Sequence, residues 1–152
     1  MSSNVGRSTM SDTTTHVFRV ELRPDLYRDI EVFSGMPLDY LAAAIVEVFG
    51  FDFDHLYGFY SKLTGNVYAS NPRYEVPGMM DDPDALSVEE VAIEEVFRRV
   101  GKALLFIFDF GDSWRFRIKF VGRGRMPADG RYFRLVGSMG DAPPQYPMTE
   151  DG

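Results

Sequence analysis

The chain opens with two stretches in which apolar and polar residues alternate. Residues 15–22 place Phe18 and Val20 on one side of the backbone, and residues 27–33 continue the alternation. A period of two residues is typical of β-strands that bury one face. The residues between the two stretches, 23–25, read Arg-Pro-Asp and favour a turn. The sequence therefore predicts an opening β-hairpin.

The next segment changes to the period of an α-helix. Leu38, Leu41 and Ile45 recur at helical spacing after Pro37, a residue that suits the first turn because its missing N–H is not needed there. Gly50 follows the pattern and favours a C-terminal cap. A first helix is therefore predicted directly after the hairpin.

A second helix is predicted over residues 87–101. Ser87 and Glu90 have the spacing of a capping box, and Val88, Val91, Ala92 and Val96 form an apolar stripe. Gly101 favours a C-terminal cap.

The remaining pattern predicts further strands. Residues 55–61 and 132–136 are short candidates, and the loosely patterned stretch 62–86 contains two more possible short strands. Residues 103–110 are almost continuously apolar, as in a strand buried on both faces. Residues 114–121 alternate, and the Gly111-Asp112 pair between these two strands predicts a hairpin whose turn uses positive φ at those two residues.

These elements predict an α+β fold, with two main helices packed on a mixed β-sheet. The order is ββαβ(loop)αββ(β), with a β-grasp-like ββα start. We expect one domain over 15–139, a disordered N-terminal tail over 1–14, and a flexible Pro-rich acidic tail over 140–152.

The amino-acid composition excludes several kinds of catalytic and metal site. The chain has 152 residues, no cysteine and two histidines, His16 and His55. Disulfides, thiolate metal sites and a cysteine nucleophile are excluded, and no cofactor is predicted. Neither a secretory signal nor an apolar run of membrane-spanning length is present. These observations favour a cytoplasmic protein.

The charge distribution is uneven. The net charge is −7, but residues 111–135 hold seven Lys or Arg against two Asp. A basic row on the strand that begins at residue 114 is one candidate surface for nucleic acid, although the overall charge disfavours such binding. The alternative is a solvated sheet face whose cations pair with carboxylates such as Glu21 or Glu31. The candidate residues are Arg115, Arg117, Lys119, Arg123 and Arg125.

The predicted hairpin carries the letters Asp109-Phe110-Gly111, which protein kinases use to hold magnesium. No Gly-rich loop, strand lysine or catalytic loop precedes them, so a kinase is excluded. Asp109 and Asp112 are expected at one end of the sheet. Either they bond N–H groups of the turn, or they form a small site for a cation or a partner.

Four other residues are candidates to join this site. Asp52, Asp54 and His55 lie just before the third predicted strand and could complete an oxygen-rich cation site, or could be ordinary loop residues. Trp114 directly follows the turn and is expected to anchor the core beside it.

Several motifs resemble one known family. Residues 108–114, FDFGDSW, are similar to the hallmark of the plasmid pRiA ORF-three-like family, whose members are often called passenger TnpR proteins of an insertion element. The same order of motifs continues along about residues 15–145. The matching segments are FRVEL (18–22), IEV (30–32), FGFDFDHLYGF (49–59) and the helical pattern of 87–101.

The resemblance implies an α+β domain and brings no established reaction. The TnpR label suggests recombination, but the chain contains no recombinase catalytic core. The family's C-terminal PPED-x-GG pattern is missing, since residues 142–147 read APPQYP. From these observations we expect a non-enzymatic interaction or accessory domain with a protein partner. Nucleic-acid binding and, less favoured, a metal-dependent hydrolase built on Asp109 and Asp112 are the alternatives.

Overall fold

The computed structural model describes residues 12–79 and 83–146, which form one eight-stranded mixed sheet. The sheet order is β5-β4-β3-β6-β7-β1-β2-β8, and every pairing is antiparallel except that of β4 with β5. The strands are β1 (Asp12–Arg23), β2 (Leu26–Phe33), β3 (Tyr57–Tyr60), β4 (Arg73–Glu75), β5 (Leu86–Ser87), β6 (Ala103–Phe108), β7 (Trp114–Pro127) and β8 (Phe133–Met139). The α+β prediction is confirmed.

The main helix, α1 (Leu38–Val48), packs on the inner face of the sheet. It buries Leu38, Leu41 and Ile45, as the helical period predicts. No side chain caps its start. The carbonyl oxygens of Val91 and Val88 instead accept from the N–H groups of Leu38 and Asp39, both at 3.0 Å. The neighbouring turn at residues 88–91 therefore satisfies two free donors of the helix.

The prediction of a long second helix over 87–101 is wrong in extent. Only α2 (Ile93–Val96) is helical, and Ser87 belongs to β5. Residues 88–92 stay outside a helix because their carbonyls cap α1 and because the Val88 N–H donates to Glu75. Tertiary hydrogen bonds override the local helical pattern here. Glu95, rather than Glu90, supplies an N-terminal cap, by accepting from the Ala92 N–H at 2.8 Å.

The two faces of the sheet are covered differently. The inner face holds the main core, in which aromatic side chains of β1, β3, β6 and β7 meet α1 and the segment 88–97. The outer face carries a smaller apolar cluster beside β3 and β6, where Tyr60, Leu105 and Ile107 pack with Val67. Val67 lies in a short 3₁₀ turn (Val67–Ala69) within the stretch expected to be loosely structured.

A β-bulge divides strand β7. Phe18 pairs with Phe120, but Val17 pairs with Gly122, so β7 contains one extra residue at this point. Side chains alternate between faces, so an extra residue moves all later side chains to the opposite face. Arg123 consequently pairs with His16 on the inner face. The first half of β7 keeps the alternation that the sequence predicts.

The first strand begins at Asp12, three residues before the boundary expected from the pattern. Residues 12–14 pair with residues 125–127 of β7. At the other end, residues 140–146 do not extend the sheet, but Gln145 in that segment is buried. Among the described residues, no helix has the length and apolar character needed to cross a bilayer.

Candidate functional site

Three segments meet at one end of the sheet: the loop between α1 and β3, the turn between β6 and β7, and the segment that follows β8. The Asp109 N–H donates to the carbonyl of Leu56 at 2.9 Å, which ties the turn to the loop. We call this region the acidic end and define it as residues 52–56, 109–112 and 145–146. Of the predicted acidic and histidine residues, the structure brings Asp52, Asp54, His55, Asp109 and Asp112 into it.

The turn is organised by the side chain of Asp109. Its Oδ1 accepts from the N–H groups of Gly111 and Asp112 at 3.1 and 3.3 Å. The hairpin is confirmed, but the predicted positive φ at Gly111 and Asp112 is wrong. Positive φ occurs at Asp109 and Ser113, at 65° and 56°. Asp tolerates this conformation because its carboxylate bonds the following backbone.

His55 lies against three acceptors. Its Nε2 is 2.6 Å from the Tyr146 hydroxyl oxygen, 3.4 Å from Asp109 Oδ2 and 3.5 Å from Asp54 Oδ1. The Tyr146 hydroxyl donates its own proton to Asp54 Oδ2 at 2.9 Å. His55 must therefore carry its proton on Nε2 and donate to Tyr146, which assigns the tautomer by its partners.

Gln145 fixes the loop from the other side. Its Oε1 accepts from the Asp52 N–H at 2.7 Å, and its Nε2 donates to Asp52 O at 3.1 Å and to Asp54 Oδ1 at 3.2 Å. Sequence analysis missed Gln145 and Tyr146 because they lie in a Pro-rich stretch interpreted as a tail. The signal that could have found them is the position of residues 142–147, where the family has a C-terminal pattern of its own.

These contacts shift two pKa values. Desolvation and the hydrogen bond to Asp54 raise the pKa of Tyr146 to about 12. Desolvation alone would raise the pKa of Asp54, but the Tyr146 hydroxyl, His55 and Gln145 together lower it below its usual value. Asp54 is consequently a carboxylate and Tyr146 a neutral donor near neutral pH, so this part of the site offers fixed negative charge.

The acidic residues do not converge as a metal site. Within residues 12–79 and 83–146, no group of three His, Asp or Glu side chains could hold a metal ion. The oxygens of Asp109 face the turn N–H groups and His55, while the Asp112 side chain is exposed. The contacts of the Asp109 carboxylate are therefore those of a turn residue.

Apolar side chains accompany the carboxylates. Phe53, Leu56 and Tyr146 are 47%, 49% and 48% exposed. Trp114 lies on the inner side of the hairpin with its ring centroid 4.8 Å from that of Phe51, as expected of a core anchor. Its buried Nε1–H has no acceptor among the described residues. The acidic end therefore combines negative charge with exposed apolar surface.

The predicted basic row is not one surface. Arg115, Arg117 and Lys119 point to the outer face, but the bulge turns Arg123 and Arg125 to the inner side, opposite His16 and Thr14. The proposed carboxylate partners also differ. Glu21 lies opposite Arg117 in register, whereas Glu31 accepts from Arg134 at 2.9 Å. The sequence could not show this separation because the extra residue appears only in the pairing with β1.

The family comparison agrees with the resemblance noted from the motifs. The model of the plasmid pRiA4b ORF-3-like protein family matches residues 14–146. The fold and this match together define the class of protein. The chain belongs to the plasmid pRiA4b ORF-3-like family.

A solved structure shares the fold. It is a crystal structure titled as a protein of unknown function, MM3350, from Methanosarcina mazei Go1. The two chains are 16% identical with a TM-score of 0.69, and the similarity covers 87% of this chain and 72% of that one. At this identity the likeness concerns the fold alone. No curated protein matches this sequence.

Proposed function

We propose that this chain is a protein-interaction domain whose acidic end binds a basic, partly apolar segment of another protein. One observation carries the proposal: exposed apolar side chains lie beside aspartates whose positions are fixed by hydrogen bonds. An exposed patch that combines apolar and charged groups is typical of an interaction surface.

The pre-formed geometry supports this function. Gln145 and Tyr146 hold Asp54, and the turn backbone holds Asp109, so little side-chain entropy remains to be lost on binding. Lys and Arg side chains of a partner would meet the exposed carboxylates of Asp54 and Asp112, and its apolar side chains would cover Phe53 and Leu56. The net charge of −7 also favours approach of a basic partner.

The other two functions have weaker support. Nucleic-acid binding was predicted from a continuous basic row over residues 115–125. The structure divides these cations between the two faces of the sheet, so they do not form one binding surface. A metal-dependent hydrolase at Asp109 and Asp112 lacks convergent ligands in the described part of the chain.

A cytoplasmic location and an association with mobile elements complete the proposal. The cysteine-free composition fits a reducing compartment. The plasmid in the family name suggests the association with mobile elements.

The proposal is tested by affinity capture from native lysate, with and without nuclease. The test variant is Asp54→Asn combined with Asp112→Asn, which removes two charges from the acidic end. The matched control combines Asp25→Asn with Asp129→Asn, two exposed aspartates in other turns. We expect a protein partner that survives nuclease, is retained by the control and is reduced about tenfold by the test variant.

Equal capture by both variants would contradict the acidic end as the binding surface. Capture that disappears with nuclease would contradict the protein-interaction function itself. The partner is then measured with purified components in rising salt, where a contact with the two charges should weaken as salt screens it.

A further inference from the structure

Two adjoining concavities lie beside the segment 93–102. The first is lined by part of that segment and by residues of β1 and β7, and the second by residues within 95–102 alone. Their volumes are about 680 and 800 Å³, and they share Glu95 and Arg98 as lining residues. We call them together the cationic groove. Arg98, Arg99, Lys102 and Arg123 line it, against the two carboxylates Glu94 and Glu95.

The fold places two of these cations by backbone contacts. The bulge in β7 turns Arg123 inward, where its Nη2 donates to the carbonyl of Arg98 at 2.9 Å and its guanidinium lies 4.9 Å from the ring centroid of Phe120. The Lys102 Nζ donates to the carbonyl of Val96 at 2.7 Å. Each contact uses one donor, and both side chains retain others.

Arg98 and Arg99 are held differently. Both are exposed, and no carboxylate partner for either is found within residues 12–79 and 83–146. Other arginines of the sheet are paired, as Arg19 is with Asp29 and Arg134 with Glu31. The groove therefore presents free guanidinium groups, which bind phosphate oxygens through paired N–H donors.

The opposite side of the groove offers acceptors. The carboxylate of Glu95 accepts from the Ala92 N–H, whereas that of Glu94 has no hydrogen-bond partner in the described structure. His16 Nε2–H donates to the carbonyl of Phe97 at 2.9 Å, so its Nδ1 accepts from the Ser34 hydroxyl at 2.7 Å. Ser34 also lines the first concavity, although only 3% of its surface is exposed. These groups suit the hydroxyls of a ligand.

We propose that the cationic groove binds a small phosphate ester with a polyhydroxy organic part. Arg98, Arg99 and Arg123 receive the phosphate, and Glu94 accepts from hydroxyl groups. The volumes lie in the range usual for small-ligand sites. A nucleic acid fits less well, because the groove is lined by no exposed aromatic ring that could stack a base, and because Glu94 and Glu95 would repel a continuous phosphate backbone.

The test is calorimetric titration of the full chain with ribose 5-phosphate, ribose and inorganic phosphate as separate probes. Arg98→Gln with Arg99→Gln removes two charges without breaking a side-chain contact. Arg117→Gln with Lys119→Gln makes the same charge change on the outer face and is the matched control. We expect the ester to bind more tightly than either part, and the groove variant to lose at least about tenfold in affinity while the control loses less than about twofold.

A further variant distinguishes recognition of the phosphate from recognition of the hydroxyl groups. Glu94→Ala should weaken ribose 5-phosphate but not inorganic phosphate, because it removes both carboxylate oxygens that would accept from the hydroxyls, whereas inorganic phosphate loses only a charge that repels it. Equal losses in the groove and control variants would overturn the proposal, as would absence of ester binding at about 10 mM. If inorganic phosphate bound as tightly as ribose 5-phosphate, the proposal that the groove recognises a polyhydroxy group would be wrong. If a single-stranded oligonucleotide bound more tightly than ribose 5-phosphate, and the groove variant lost this binding, the groove would be a nucleic-acid site instead.

Discussion

Strand β7 runs from the acidic end to the cationic groove, and these two regions organise charge in opposite ways. At the acidic end, Asp54 and Asp109 accept hydrogen bonds from Tyr146, Gln145 and backbone N–H groups. In the groove, Arg98 and Arg99 are exposed, and no carboxylate of the described residues pairs with either of them. Charged side chains that make hydrogen bonds within the protein should contribute to the free energy of unfolding. Charged side chains without such bonds should matter mainly for ligand binding.

The largest effect should come from the turn. Asp109→Ala removes the acceptor for two N–H groups and places a non-polar residue at positive φ, so we expect a loss of about 2–3 kcal/mol in the free energy of unfolding. Urea unfolding measures it. Asp112→Ala is the exposed control and should cost less than about 0.5 kcal/mol. A loss equally small in Asp109→Ala would show that its hydrogen bonds do not hold the hairpin.

Arg123 and Arg98 of the groove should differ in how much they contribute to the free energy of unfolding, and this effect should be smaller than that of Asp109. Arg123→Gln loses the bond to the carbonyl of Arg98 and the contact with Phe120, and should cost about 1 kcal/mol in unfolding free energy. Arg98→Gln should change it by less than about 0.5 kcal/mol, since its guanidinium is free. Thermal unfolding of both variants gives the comparison. Equal losses would mean that Arg98 has a structural role as well.

The hydroxyl of Tyr146 supports the loop through Asp54 and His55. Tyr146→Phe keeps the ring but removes both bonds, and we expect a small loss in the free energy of unfolding because the residue is half exposed. Amide exchange at Asp52 and Asp54 should rise before global unfolding does. Unchanged exchange there would mean that Gln145 alone fixes the loop.

The smallest effect concerns pH. Burial lowers the pKa of His16 below 6.5, assisted by Arg123 and opposed by the bond to Phe97 and by Glu94. A His with a depressed folded-state pKa binds its proton more readily when unfolded. Its contribution to stability is therefore complete above pH 6.5 and declines as pH falls below that value.

This pH dependence is measured by urea unfolding between pH 7.5 and 5.5, in parallel with His16→Gln. The variant should show a shallower decline over the range below 6.5, because Gln does not titrate there. Parallel slopes in the two proteins would assign the pH dependence to other groups.

The sequence predicted the parts that depend on local period. The alternation of β1 and of residues 114–120, the α1 stripe ending before Gly50, and the β6–β7 hairpin all follow from spacing alone. It also offered Asp52, Asp54 and His55 as candidates to join Asp109, and the pairing of β3 with β6 in the structure brings the two connections together. The prediction failed where a partner elsewhere in the chain competed, as at residues 88–92, whose carbonyls cap α1.

What the sequence determined by itself was therefore which residues form strands, the main helix and the hairpin, because hydrophobic periodicity and turn chemistry are local. Only the tertiary structure decided which face the later cations of β7 occupy, and that Gln145 and Tyr146 complete the acidic end. One extra residue in a strand reverses every following side chain, and it is visible only when the neighbouring strand fixes the register. A hydrogen bond between residues 92 positions apart likewise leaves no local pattern to detect.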